Sequence, residues 1–226
     1  MRINIKLYLK NNTKLLKIVS FIYSFFNGNL KIYFSAKNMI RTQGVFLRRT
    51  SFDIKGKSNQ IVIDKLARLK NCNFTIIGNN CKIIIGGGST IISNTQFWCQ
   101  DDNSTIFIGK DFTMEGGHIA STEGQSIKIG NDCMFSGNID IRNGDSHSII
   151  DKNTRKRKNH AKSIEIGNHV WLAAYVRVLK GAYIPNHSVI GNSSVVSSKL
   201  EEENSIYSGI PCKIIKTNID WDRNKI

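Results

Sequence analysis

Ile166-Gly167-Asn168-His169-Val170-Trp171-Leu172 opens a stretch, ending at Val196, in which Ile166, Leu172, Val178, Ile184, Ile190 and Val196 recur six residues apart. The fifth residue of each hexad is small or β-branched: Val170, Val176, Ala182, Ser188 and Ser194. Glycine follows the apolar residue in Ile166-Gly167 and Ile190-Gly191. No helix has this period, because six residues advance ~240° around a 3.6-residue turn. A flat strand with one buried face alternates every second residue instead. The period fits a hexapeptide β-helix, in which each hexad is one short side of a triangular coil. The aliphatic residue then points inward, the small residue sits near a corner, and glycine helps the backbone turn there.

Working outward, a looser version of the same register begins near Gln60. Ile63 and Leu69 are six apart, Ile77-Gly78-Asn79-Asn80 carries a turn signature, and three trios follow: Ile85, Ile91, Phe97; Ile108, Met114, Ala120; and Ile129, Phe135, Ile141. Gly86, Gly109 and Gly130 follow the first member of each trio. A trio is an 18-residue coil, so longer steps mark insertions. The steps Ile85 to Ile108 and Ile108 to Ile129 exceed 18 by 5 and 3, which predicts tight bulges. The step Ile129 to Ile166 exceeds it by 19, which predicts a loop extruded over residues 142–163. Long loops on a rigid repeat scaffold are where function concentrates. The chain divides into residues 1–59, a helix with lead-in strands; residues 60–200, the β-helix; and residues 201–226, a C-terminal segment.

At 226 residues with 40% hydrophobic content and two prolines, the chain buries a real core and is not a disordered tether. Its five cysteines are odd in number and form no CxxC pair, which reads as reduced, mostly buried thiols in a cytoplasmic protein. The net charge of +15 implies an anionic partner: a phosphorylated cofactor, an acidic glycan, a membrane surface or nucleic acid. Residues 1–60 hold 12 Lys/Arg against the single acid Asp53. Within them Leu15 to Phe26 is strongly apolar, too short to span a bilayer and interrupted by Lys17. It reads as a helix ended by Asn27-Gly28-Asn29, with a strand over Leu30 to Ser35. The helix either packs on the main domain or lies as a peripheral contact on the inner face of an anionic membrane.

The loop begins Arg142-Asn143-Gly144-Asp145-Ser146-His147. His147 stands where the next inward residue falls, at the point where the chain leaves the coil. Asp145, two residues earlier, lies on the same side if the segment is extended, where its carboxylate can hold one imidazole nitrogen and leave the other as a base. The plainer alternative is a surface histidine in a polar loop. His169 and His187 share a hexad position and stack outward on adjacent coils; no third ligand falls in register, so no metal is expected. His118 takes a corner position and His160 lies within a basic run. That run, Lys152, Arg155, Lys156, Arg157, Lys158 and Lys162, lacks interleaved aromatics, which favours an acidic substrate or a phosphate over nucleic acid.

Ile166-Gly167-Asn168-His169-Val170-Trp171-Leu172, Ile190-Gly191-Asn192-Ser193-Ser194-Val195-Val196 and Gly209-Ile210-Pro211-Cys212-Lys213 together resemble the hexapeptide-repeat acyltransferases. The likeness covers roughly residues 60 to 216 and is nearest to bacterial polysaccharide, polysialic acid and galactoside O-acetyltransferases. It rests on a histidine in an extruded loop followed by an IGxxVW motif. The resemblance implies an all-β, left-handed parallel β-helix, an exception to the usual right-handed crossover. It also implies a homotrimer with acetyl-CoA between subunits. By it, His147 is the general base and Trp171 positions the acceptor or the acetyl end. Ala173 and Ala174 lie along the pantetheine arm, and Gly191, Ser197, Lys199 and Lys213 receive the rest of CoA. One departure is Ser197-Ser198-Lys199, where the family often has Thr-Lys directly after the last Val-Val, so the lysine is displaced by one.

The reading is therefore O-acetylation of an acidic bacterial surface polysaccharide or its precursor. Two alternatives stand beside it. N-acetylation of a nucleotide-linked amino sugar usually needs a preceding nucleotide-binding domain, and residues 1–59 are short and carry no GxGxxG. A non-catalytic β-helix binding anionic polymer or membrane is the other.

Overall fold

The computed structural model describes residues 9–27, 31–33 and 37–226, and of 31–33 the backbone alone. Gly28, Asn29, Leu30, Phe34 and Ser35, which the sequence assigns to a turn and a strand, lie outside the described residues. Short strands wind into three sheets that form the sides of a triangular solenoid. Among the described residues sheet A has eight strands, sheet B seven and sheet C nine, and each strand pairs with the one three later in the chain until the end of sheet C, where Val189–Ile190 pairs with Ile206–Ser208. All pairings are parallel except the last, where Lys213–Lys216 folds back antiparallel on Ile206–Ser208 and closes sheet C.

Every hexad residue from Ile166 to Val196 points inward: Ile166, Leu172, Val178, Ile184, Ile190 and Val196 are buried, and so are Val170, Val176, Ala182, Ser188 and Ser194. The looser half departs from the sequence reading in four respects. The first concerns coil length. Along sheet A the inward residues Phe52, Phe74, Phe97, Ile119 and Ile141 succeed one another at steps of 22, 23, 22 and 22, against 18 from Val178 to Val196. The extra residues are not tight bulges. They lengthen the sides, with strands such as Thr95–Cys99 and Thr105–Ile108 where the last coils have Trp171–Leu172 and Tyr183–Ile184. The longer strands turn more than one residue inward, Thr95, Phe97 and Cys99 in the first and Ile106 with Ile108 in the second.

The second departure is register. Ile92 and Ile119 are buried where counting by six places Ile91 and Ala120, because the Gly86-Gly87-Gly88 corner takes one residue more and the Gly116-Gly117 corner one fewer than a hexad. Third, the coil begins before residue 60: Met39–Arg41, Phe46–Arg48 and Ser51–Ile54 already belong to sheets B, C and A.

The fourth concerns the corner glycines. Gly130 and Gly167 are needed for close approach between coils rather than for turning. A Cβ on Gly130 would meet the Gly167 carbonyl oxygen at 2.4 Å. The corner's left-handed position falls three residues after the inward aliphatic, on Asp111, Asp132, His169 and His187. Between coils an asparagine ladder satisfies the corner amides: Asn168 Oδ1 accepts from Asn131 N, and Asn186 Oδ1 from Asn168 N, both at 2.8 Å.

Phe52, Phe74 and Phe97 stack through the interior with centroids 4.8 and 4.6 Å apart. All five cysteines are free thiols and four are buried; burial pushes Cys72 and Cys133 up to about 12. At the first coil, helix α1 (Thr13–Asn27) starts at Asn12, whose side-chain oxygen accepts from Leu15 N at 3.1 Å. It buries Leu16 and Ser20, and Ser24 Oγ accepts from Leu47 N at 3.1 Å. No helix among the described residues is long and apolar enough to cross a membrane.

Candidate active site

The chain leaves sheet A after Ile139–Arg142 and returns in sheet B at Ile164–Ile166, so the predicted loop is present. Its root is fixed by buried Asn143, whose side chain accepts from Thr122 N at 2.9 Å and donates to Ser121 Oγ at 3.0 Å. Further out the loop folds on itself: Ile150 bridges Arg157 antiparallel, and Asp151 closes a turn by accepting from Thr154 N at 2.8 Å.

Asn159, itself buried, is the hub. Its Nδ2 donates to Asp145 Oδ2 at 2.7 Å and to the His147 carbonyl at 2.8 Å, while its Oδ1 accepts from Ile149 N at 2.7 Å. The backbone at and just after His147, and the Asp145 side chain before it, are therefore held from within the loop. The imidazole is exposed and makes no hydrogen bond among the described residues. Beneath it, on the outer face of sheet A, lies an open groove of about 580 Å³. Its walls include Gln96, Trp98, His118, Arg142, His147 and Arg157.

Asp145 does not orient His147. Its carboxylate pairs with Lys180 Nζ as well as with Asn159, and those two donors hold it below the usual carboxylate range. The reason is geometric: a two-residue offset on an extended strand would align the two side chains, but the segment here is a turn gathered around Asn159. The basic run divides as well. Arg157 pairs with Glu123 and Lys158 with Asp151, whereas Lys152, Arg155, Lys156 and Lys162 stay exposed. Beside the groove, Asp140 is bonded by Arg142 Nε at 2.7 Å and lies 3.6 Å from His118 Nδ1, while Asp101, which lines it, accepts from Thr122 Oγ1 and from Glu123 N at 2.9 Å. His118 is an outward residue of sheet A lining the groove, not a corner residue.

Trp171 is half-buried in sheet C, a different side of the prism from the groove, so a single chain does not bring it to His147. Its indole nitrogen is shielded from solvent with no partner among the described residues. The assigned cofactor residues fall into two sets. Ala173 and Ala174 follow Leu172 at the corner between sheets C and A, and Gly191 occupies the same corner one coil on, with Ala173 N donating to Ile190 O at 2.9 Å. A Cβ on Gly191 would meet Ser208 Oγ at 2.7 Å, so packing of the next strand demands that glycine. Ser208 pairs in turn with Lys213, which joins this corner. Ser197 and Lys199 lie past sheet A at the next corner, where Lys199 bridges Tyr183 of sheet B.

The C-terminal tail, which leaves no trace in the hexad register, doubles back along sheet C and clasps the stacked histidines. Trp221 stacks on His169 at 4.0 Å between centroids, its indole donates to His169 O at 2.8 Å, and His169 Nε2 meets Trp221 O at 2.8 Å. His169 Nδ1 meets Asp132 Oδ2 at 2.7 Å, and Arg223 Nε donates to Asp132 Oδ1 at 2.9 Å. Both ring nitrogens thus face oxygen acceptors, which are fully satisfied only when each carries a proton. Asp220 also comes within 4.8 Å of His169 and His187, the third potential ligand that the register did not supply. Both His169 nitrogens are already engaged in the clasp. Trp221 lies 6.1 Å from Trp171, so the tail borders that residue as well.

No family model matches the chain. It is 35% identical over 190 residues to the polysialic acid O-acetyltransferase of Neisseria meningitidis, a match covering 75% of this chain and 88% of that protein. The crystal structure of the polySia-specific acetyltransferase NeuO superposes with a TM-score of 0.78 at 25% identity, covering 88% of this chain and 90% of that one. That of the polysialic acid O-acetyltransferase OatWY gives 0.72 at 28%, covering 88% and 92%. The solenoid is a left-handed parallel β-helix, as in these neighbours. With His147 on an extruded loop over an open groove and Trp171 opening the hexads that follow it, the chain belongs to the hexapeptide-repeat O-acetyltransferases.

Proposed function

We propose that the protein transfers the acetyl group of acetyl-CoA to a hydroxyl of an acidic, sialic-acid-containing bacterial surface polysaccharide or its precursor, with His147 as general base. The observation that carries this reading is an imidazole free of partners among the described residues, held over the groove by a backbone that Asn159 bonds at the His147 carbonyl and at Ile149 N. A free ring nitrogen takes the hydroxyl proton as the oxygen attacks the thioester carbonyl carbon. The C–O bond forms, the C–S bond breaks, and the proton passes to the departing sulfur.

Trp171 lies on another side of the prism, so in this reading it comes from a neighbouring copy in a homotrimer. That copy's corner of Ala173, Ala174, Gly191 and Lys213 runs along CoA. Ala173 and Ala174 present nothing larger than a methyl there, which suits a pantetheine arm lying close to the backbone. Ser197 and Lys199, at the next corner, suit an outer contact with the cofactor's phosphates. Five unpaired thiols suit a reaction in the cytoplasm.

The acceptor's charge is supported from two sides. The exposed Lys152, Arg155, Lys156 and Lys162 remain for an anionic polymer once the paired cations are set aside. Of the groove's acids, Glu123 is paired with Arg157 and Asp145 with Lys180, which offsets their repulsion of an anion, and Asp101 is bonded by Thr122 Oγ1 and Glu123 N. Trp98 offers an aromatic face, and Gln96 and Gln100 offer amides to hydroxyls.

An acceptor panel tests the reading. Thiol release from acetyl-CoA is expected with polysialic acid and its oligomers and at background with dextran. Equal release with the neutral glycan overturns the acidic acceptor, and background release with every glycan overturns the transfer itself.

A further inference from the structure

Helix α1 turns its small polar residues Ser20 and Ser24, with Leu16, to the first coil and leaves its apolar face without a partner among the described residues. Leu16 and Ser20 are buried against the first coil, whereas Ile18, Phe21, Ile22, Phe25 and Phe26 on the far side are 56, 70, 49, 71 and 79% exposed. The apolar face of an amphipathic helix normally packs against a core or another surface, and here it is the face turned outward. The exposed rings form one surface: Phe21 and Phe25 stack at 6.3 Å, and Phe26 packs edge-on to Phe25 at 5.5 Å.

The charge around this surface is predominantly positive. Lys10, Lys14 and Lys17 are exposed on or beside the helix, and Arg41, Arg48 and Arg49 are exposed on the first coil. None of these cations forms a salt bridge among the described residues. At 100° per residue Lys14 falls between Phe21 and Phe25, within the apolar arc itself. A second copy packed on this face would bring these cations together, with Asp64 beside Lys17 and Arg41 too few to offset them. An anionic lipid surface complements both features. At 15 residues, roughly 22 Å long, the helix lies in such a surface and does not cross it.

We propose that α1 docks the protein on an anionic bilayer, with Phe21, Phe25 and Phe26 among the acyl chains and the lysines and arginines over the headgroups. Docking does not rest on the acetyl-transfer reading, because its test involves neither acetyl-CoA nor glycan.

The full chain is floated with vesicles of phosphatidylglycerol and phosphatidylethanolamine, and separately with phosphatidylcholine alone. It is expected to rise with the anionic vesicles and not with the neutral ones, and to be released by high salt. F21S/F25S/F26S is expected to lower the bound fraction about tenfold or more, with hydrodynamic mass unchanged. K14E/K17E, which leaves the rings in place, is expected to abolish the preference for anionic vesicles and decides the matter if the triple variant fails to fold. A wild-type chain that stays at the bottom of the gradient overturns the proposal. So does a folded triple variant that floats unchanged, or one whose mass changes, which would show that another copy covers the face.

Discussion

At the residue scale, a single buried amide sets the position of the proposed base. Asn159 bonds Asp145, the His147 carbonyl and Ile149 N together, so its loss strands the two backbone groups and leaves Asp145 to Lys180 alone. Asn159→Ala is expected to lower kcat roughly 10–100-fold while leaving the melting temperature of the β-helix nearly unchanged, as read by steady-state kinetics beside calorimetry. Asn159→Asp should keep less than half of this bonding, because a carboxylate accepts but cannot donate to Asp145 or to His147 O.

Asp145 has a pH signature of its own. Lys180 and Asn159 hold its carboxyl below the usual range, so its contribution to the loop is present above the unfolded value of about 4 and is lost as pH falls through the folded value. Hydrogen exchange over residues 142–163 is expected to stay slow at neutral pH and to quicken on acidification below about pH 4. Lys180→Ala should remove that acid-linked step. The pair is partly exposed, so its effect on global stability stays below about 1 kcal/mol.

At the element scale, the coils differ in what they disclose. From Ile166 to Val196 sheets A and C turn one residue of each strand inward, so the hexad period and the buried set coincide and the sequence is directly legible. Earlier coils have longer sides and corners of unequal length, so counting by six lands on Ile91 and Ala120, each one residue off the buried position. The loop itself was legible because it breaks the count by 19, and His147 stood out at its root. Asn159 and Lys180 were not, since contacts that close a loop leave no periodic trace. The tail clasp was equally silent: Trp221 and Arg223 reach His169, Asp132 and Thr113, which are 52, 91 and 110 residues away.

Two outcomes follow from these elements. Phe97→Ala removes one end of the phenylalanine stack in a core without slack and is expected to cost about 3–5 kcal/mol in denaturant unfolding. In the clasp, burial alone would raise Asp132, but the bonds from His169 and Arg223 outweigh it and hold the carboxyl low. The tail is therefore expected to stay docked above about pH 4 and to loosen on acidification below it, followed by tryptophan fluorescence and by proteolysis after residue 217. Arg223→Ala should shift that loosening to higher pH.

At the scale of the whole molecule, the proposed site is divided between two sides of the solenoid. The groove with His147 lies on sheet A, and Trp171 with the small-residue corner lies on and beside sheet C. In a threefold assembly each sheet A can meet a neighbour's corner, and the two half-sites become one. Co-expressed His147→Ala and Trp171→Ala chains are then expected to regain part of the lost activity in mixed trimers, since some interfaces inherit both intact residues. Mixed trimers no more active than the parents would place both residues within one copy's site.

All of this turns on His147 as the base. The most direct measurement is the acetyl-CoA turnover number of His147→Ala on polysialic acid, beside a thermal melt of the same variant. The account predicts a fall of roughly 10²–10⁴ with the melt unchanged, because the exposed imidazole makes no structural bond. A His147→Ala protein that keeps wild-type turnover would contradict it.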